Sequence, residues 1–131
     1  TLARLGGWDG LAADVARAAA REGAAFIAAE EYGLASGMAF RLPREMKVVA
    51  MDSRWRFFTL PSPPAPAQGL LIRSERRGEG PPLWPGAVPI EGEAGRLIRA
   101  RGGQEAEAYR LFRVRTAPGQ PPSVVLPRPL R

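Results

Sequence analysis

Residues 24–52 read AAFIAAEEYGLASGMAFRLPREMKVVAMD, and the fold turns on how this stretch is parsed. Residues 24–29 form an unbroken apolar run of strand length, the pattern of a strand buried on both faces. Glu30 and Glu31 end it abruptly. Leu34, Ala35 and Met38 then recur at helical spacing, so residues 32–41 read as a short helix that Pro43 stops. Residues 47–51 form a second apolar run, closed by Asp52. Strand, helix and strand in so few residues make a βαβ unit, which predicts adjacent parallel strands joined by a right-handed connection. Such a unit brings Glu30 and Asp52 to a common rim.

The flanks extend this core. Trp8, Leu11, Val15 and Ala18 make one apolar stripe, predicting a helix over 9–22 with Asp9 as N-cap and Gly23 as a left-handed C′ residue. Arg17 and Arg21 fall on its outer face. Downstream, residues 61–69 (PSPPAPAQG) form a Pro-rich loop that excludes helix and central strand. Residues 69–73 read as a third strand, and 74–95 as an ordered, irregular connection with some helical turns. Residues 96–101 and 107–116 read as two strands joined through Gly102-Gly103, a hairpin signal. The apolar phase of the second changes between Leu111 and Phe112, which marks either a β-bulge or a strand covered on both faces. The expected fold is a small three-layer, Rossmann-like α/β domain, its parallel βαβ core extended by a C-terminal antiparallel β-hairpin. Residues 1–116 form a single soluble α/β domain in this reading. Residues 117–131 form a Pro-rich tail that runs along the surface or frays.

Composition narrows the chemistry. The 131 residues include no Cys, no His and no Asn, and Lys47 is the only Lys. Disulfides, thiolate nucleophiles and every Ser-His-Asp or Cys-His system are excluded within the chain. A carboxylate site for Mg²⁺ or Ca²⁺ stays chemically allowed, but no motif supports a metal, a catalytic residue or a cofactor in this domain. No Walker loop is present. Gly6-Gly7-Trp8-Asp9-Gly10 does not follow a strand, so it is no dinucleotide fingerprint. The net charge of +6 comes from 19 basic and 13 acidic residues. The arginines are scattered among glutamates, the mark of a GC-rich genome more than of a nucleic-acid surface.

One constellation suggests binding: Glu30, Glu31 and Tyr32 at the end of one strand with Asp52, Arg54 and Trp55 at the end of its neighbour. Open α/β sheets bind ligands in the crevice outside the carboxyl ends of their strands. Carboxylates there can accept hydrogen bonds from sugar hydroxyls, and Trp55 can stack on a sugar ring. The plain structural alternative has Glu31 capping the second helix, Tyr32 in the core and Asp52 paired with Arg54. A second cluster, Arg99, Arg101, Arg110, Arg113 and Arg115 on the C-terminal hairpin, reads either as an anion-binding face or as a solvated face partly paired with Glu105 and Glu107. Phe57 and Phe58 beside Arg54 and Arg56 either stack nucleobases or close a core edge.

The stretch from Phe26 to Pro43, FIAAEEYGLASGMAFRLP, resembles the soluble C-terminal region of bacterial glycosyltransferase family 39 proteins, relatives of dolichyl-phosphate-mannose–protein mannosyltransferases and of the lipid A aminoarabinose transferase. The shared pattern is an apolar strand, an acidic residue and Tyr, then a small-residue helix ending near an apolar residue and Pro. The helix start Gly7-Trp8-Asp9-Gly10-Leu11-Ala12 and the strand leading to Asp52 and Arg54 fit the same region. Arg41 stands where the family often has Tyr. The resemblance spans about residues 6–60, and 69–116 only by strand order.

That resemblance implies a parent enzyme with several membrane spans, using a polyprenyl-phosphate-linked sugar at the extracytoplasmic (periplasmic) face of the bacterial inner membrane. The catalytic acids of such enzymes lie in an early loop that no position of this chain matches, so no catalytic residue carries over. The chain, which begins at Thr1, is then expected to be a piece of a longer protein: an accessory domain that shapes the acceptor site or stabilises the enzyme. Its partners are the transmembrane part of the same polypeptide, the acceptor substrate and anionic lipid headgroups. The rival readings are a stand-alone α/β binding module for a sugar or anionic ligand and a basic nucleic-acid-binding domain, and the mixed Arg–Glu surface argues against the latter.

Overall fold

The computed structural model describes residues 7–51, 61–77, 80–101, 103–117 and 123–127. Asp52, Arg54 and Trp55, with Arg56, Phe57 and Phe58, lie outside the described residues.

The first helix, α1, is Trp8–Glu22, and Leu11, Ala12, Val15, Ala18 and Ala19 form its buried face. Asp9 does not cap it. The N-cap is Gly7 at φ 79°, without a side-chain cap bond, and Asp9 sits in the first turn, where its charge still suits the positive end of the helix. Glycine is needed at position 7 because a Cβ there would stand 2.2 Å from the Ala100 carbonyl oxygen. Gly23 closes the helix at φ 65° as expected, and the Ala24 N–H reaches back to the Ala19 carbonyl at 2.9 Å, a Schellman-type ending.

Strand β1 is Phe26–Ala29 and β2 is Lys47–Ala50, with α2, Tyr32–Arg41, between them. The two strands run parallel, Phe26 opposite Lys47 and Ala29 opposite Ala50. All four β1 residues are buried, as a continuous apolar run in the middle of a sheet demands. Leu34, Ala35 and Met38 face inward from α2, and Leu42 ends it.

Strand β3, Ala67–Ser74, pairs parallel with the other flank of β1. Strand β6, Gln104–Thr116, runs antiparallel to β3 with Ala67 opposite Thr116 and Ser74 opposite Tyr109. Two short partners share the far edge of β6: β4, Val88–Pro89, and β5, Arg96–Arg101. Beyond the boundary expected at residue 116, the C-terminal segment adds an edge strand. Strand β7, Val124–Val125, pairs antiparallel with β2, and Leu126 is buried in the core. The sheet order is β4-β6-β3-β1-β2-β7, with β5 also on β6.

The phase change at Leu111 and Phe112 is resolved by this register. Pairing with β3 is unbroken there, so no bulge occurs. Tyr109 and Leu111 pack with the helices, whereas Phe112 and Val114 pack on the opposite side. The strand is covered on both faces. The register shift lies elsewhere, opposite Arg99 and Ala100, where Glu105 and Glu107 are consecutive partners and Ala106 is the extra residue.

The Rossmann-like expectation is corrected in strand order. Both helices pack into one apolar cluster with Ile27, Ala29, Val48 and Leu70, on one face of the sheet. Among the described residues the other face is closed by a loop: Trp84 packs with Phe26, Ala28, Val49, Leu71 and Val114. The physical reason is compositional. The described part of the β2–β3 connection contains Pro61, Pro63, Pro64 and Pro66, which cannot sustain a helix to cover that face. Among the described residues the chain is therefore a mixed α/β domain with two α-helices and a seven-strand mixed sheet around a parallel β3-β1-β2 centre, and its strand order is not the Rossmann one.

Candidate functional site

The carboxyl ends of β1 and β3 lie side by side because their parallel register pairs Ala29 with Ile72. Alternation along each strand then sends successive side chains to opposite faces. At this rim the sheet carries two polar groupings, one per face.

On the loop-covered face stands Glu30. Its carboxylate accepts the backbone N–H groups of Leu83 and, at 3.1 Å, Trp84. Arg73 lies 3.6 Å away, and both side chains are largely buried. Arg73 also donates to the Gly80 carbonyl at 2.9 Å. Glu30 thus holds the loop that brings Trp84 down on Phe26, whose rings stack with centroids 5.7 Å apart. The indole N–H is satisfied by the Arg115 carbonyl at 2.9 Å, as a buried Trp requires.

On the helix face stands Glu107, which sequence reasoning treated only as a partner for surface arginines. One of its oxygens accepts from the Ser74 hydroxyl and from Arg76 Nε at 2.5 Å. The other accepts from Arg99 at 3.4 Å and from the Tyr109 hydroxyl at 3.3 Å. Arg99 donates through Nε to the Tyr109 oxygen at 3.2 Å, and its guanidinium lies over the Trp8 ring, 4.5 Å from the centroid. Burial pushes the Glu107 carboxyl up, but donation from Ser74, Arg76 and Arg99 outweighs it and leaves the group below the usual glutamate range. Burial likewise raises the Tyr109 hydroxyl above its ordinary value, and donation from Arg99 opposes this only in part.

Glu31 is the N-cap residue of α2 but makes no side-chain cap bond. Its carboxylate instead accepts the Ser74 N–H at 3.3 Å, tying β3 to the helix start. Tyr32 opens α2 and is half-buried. Of the six rim residues expected from sequence, the structure therefore brings Glu30, Glu31 and Tyr32 to the end of β1, and the other three lie outside the described residues.

The hairpin arginines divide. Arg99 is not solvated but buried, at 2% exposure, paired with Glu107 as one of the two expected partners. Arg113 reaches across to Glu22 of α1 at 2.6 Å, Arg110 and Arg115 are exposed, and the side chain of Arg101 lies outside the described residues. The signal for the buried network was the alternation of Glu107 and Tyr109 opposite Arg99. It was masked because the extra residue Ala106 shifts the partners expected by counting outward from Gly102-Gly103.

Chemically, the rim's two central carboxylates accept from donors that hold strands and loops together. A general acid or base needs a proton it can exchange with substrate, and Glu107 at 9% side-chain exposure is enclosed by its four donors. Among the described residues no group of three or more acidic side chains could hold a metal ion, and no helix is long and apolar enough to cross a membrane. Compared with protein-family models, curated proteins and solved structures, the chain gives no match.

Proposed function

We propose that the chain is a non-catalytic accessory domain of a membrane glycosyltransferase that draws on a polyprenyl-phosphate-linked sugar. In this reading it stands at the extracytoplasmic face of the bacterial inner membrane, beside the transmembrane part of the same polypeptide. There it shapes the acceptor site or stabilises the enzyme, in reach of anionic lipid headgroups, and needs no cofactor of its own. The observation that supports this best is local. The Glu30-Glu31-Tyr32 junction follows a buried strand and opens α2 directly, within a parallel strand–helix–strand unit, the order the family resemblance implies. The engagement of Glu30 and Glu107 by structural donors supports the non-catalytic half of the reading.

The test is genetic and biochemical. The genomic reading frame upstream of Thr1 should encode apolar spans of about 20 residues each. Deleting the codons for residues 7–127 should then abolish or sharply reduce sugar transfer from a polyprenyl-phosphate donor while the remainder still inserts in the membrane. A complete short frame without spans would refute the proposal and favour the stand-alone binding module.

A further inference from the structure

On the loop-covered face, three arginines stand in a row across three adjacent strands. Arg73 of β3 is paired in register with Arg110 of β6, and Arg110 in turn with Arg96 of β5. Residues directly opposite in a ladder point to the same side, and like charges so placed destabilise the pair. The outer two are compensated. Arg73 has Glu30 and the Gly80 carbonyl, and Arg96 grips Glu75 through two bonds of 2.7 and 3.1 Å. Arg110 is not. It is exposed, and among the described residues it makes no hydrogen bond and no ion pair, only a longer-range attraction to Glu75.

The central guanidinium sits at a wall shared by two hollows. One, of about 710 Å³, is lined by Arg73, Pro81, Pro82, Pro89, Arg110 and Phe112, among others. The other, of about 480 Å³, reaches Arg96, Ile98 and Arg110. The larger hollow thus combines apolar walls with one uncommitted cation, beside the paired Arg73 and near the Arg96–Glu75 pair. Adjacent strands are roughly 4.8 Å apart, so a tetrahedral anion on Arg110 lies beside two ion pairs and takes its charge compensation from Arg110 itself. A guanidinium presents a fork of donors that matches phosphate oxygens.

We propose that this cleft binds a phosphate group carried on an apolar or ring-shaped body, with Arg110 as the donor that grips it and the Pro–Phe walls as the bed for the body. The site is independent of the accessory-domain reading and stands if that reading fails. The phosphate can come from a soluble ester or from a lipid headgroup, and the two sources are separable.

The experiment titrates the purified chain calorimetrically with phenyl phosphate at low ionic strength, and measures its co-sedimentation with phosphatidylglycerol and phosphatidylcholine vesicles. Arg110→Gln should weaken binding about tenfold or more, the size expected for a lost charged hydrogen bond. Arg17→Gln, which removes the same charge from the exposed face of α1, should leave it unchanged. Saturation by phenyl phosphate without vesicle association assigns a soluble ester. Arg110-dependent capture by phosphatidylglycerol alone, without saturation by phenyl phosphate, assigns a headgroup. The melting temperature of Arg110→Gln should equal or exceed that of the parent, because like-charge repulsion is relieved. Equal losses in both variants, benzoate binding as tightly as phenyl phosphate, no binding to either probe, or a destabilised Arg110→Gln would overturn the proposal.

Discussion

Glu107 receives four side-chain donors, and Arg99 beneath it is 2% exposed. Replacing the carboxylate with an amide keeps the shape but removes the Glu107 charge from beside the buried Arg99 guanidinium. Glu107→Gln should therefore cost roughly 2–4 kcal/mol, read as a lower denaturant midpoint at unchanged slope. The same group sets a pH dependence. Glu107, Glu22 and Glu75 are all held below the usual range in the fold, Glu107 against its own burial, Glu22 chiefly by the bond from Arg113 and Glu75 chiefly by that from Arg96. A depressed carboxyl stabilises the fold above its unfolded value and loses that contribution as pH falls through the folded value. Unfolding free energy should thus drop on acidification below about pH 4.5, and Glu107→Gln should flatten the slope. Tyr109, raised by burial, works at the other end: its contribution is present below about pH 10 and is lost as pH rises beyond. At this scale the sequence was legible for Glu30 and Glu31, because an acidic pair after an apolar run marks a strand end. It was not legible for Arg99, because arginine is rarely fully buried and its partners Glu107, Tyr109 and Trp8 come from a neighbouring strand and a distant helix start.

Individual elements were the most legible part of the chain. Helix α2 and strand β2 coincide closely with the predicted spans because apolar periodicity, Glu31 and Pro43 bound them on both sides. The C-terminal strand escaped because two valines among prolines give no period, and only the edge of β2 makes them a strand. Between elements, Gly69 of β3 is the tightest fit. It pairs with Phe26, and a Cβ there would fall 2.2 Å from that ring. The ring lies between the glycine and Trp84, with the Trp84 loop held by Glu30, so it has little room to move. Gly69→Ala should destabilise by about 1–3 kcal/mol through overpacking, with a matching loss in the near-ultraviolet dichroism of Trp84. At the opposite edge, Leu126→Ala should cost about 2–3 kcal/mol, measured by denaturant unfolding, because the side chain is 3% exposed against the core.

For the molecule as a whole, the parallel β1–β2 pair was readable from one stretch of sequence, and the strand order beyond it was not. A βαβ pattern implies which strands are neighbours but not what covers the second face. Here, among the described residues, the loop anchored by Glu30 closes that face with Trp84. The consequence for function is that the rim formed by the ends of β1 and β3, of the kind where α/β sheets commonly bind ligands, is occupied by the domain's own fastenings, and an uncommitted charge lies on the sheet face beside it, at Arg110. In the proposed reading Glu30 and Glu107 fasten the fold and exchange no proton with substrate. Its most direct test is the turnover per folded molecule of Glu30→Gln and Glu107→Gln in the complete gene product, with a polyprenyl-phosphate-linked sugar as donor. Any activity lost should track the fraction unfolded, leaving turnover per folded molecule near that of the parent. A variant that melts like the parent yet turns over a hundredfold or more slower, the scale of a lost general acid or base, would contradict it.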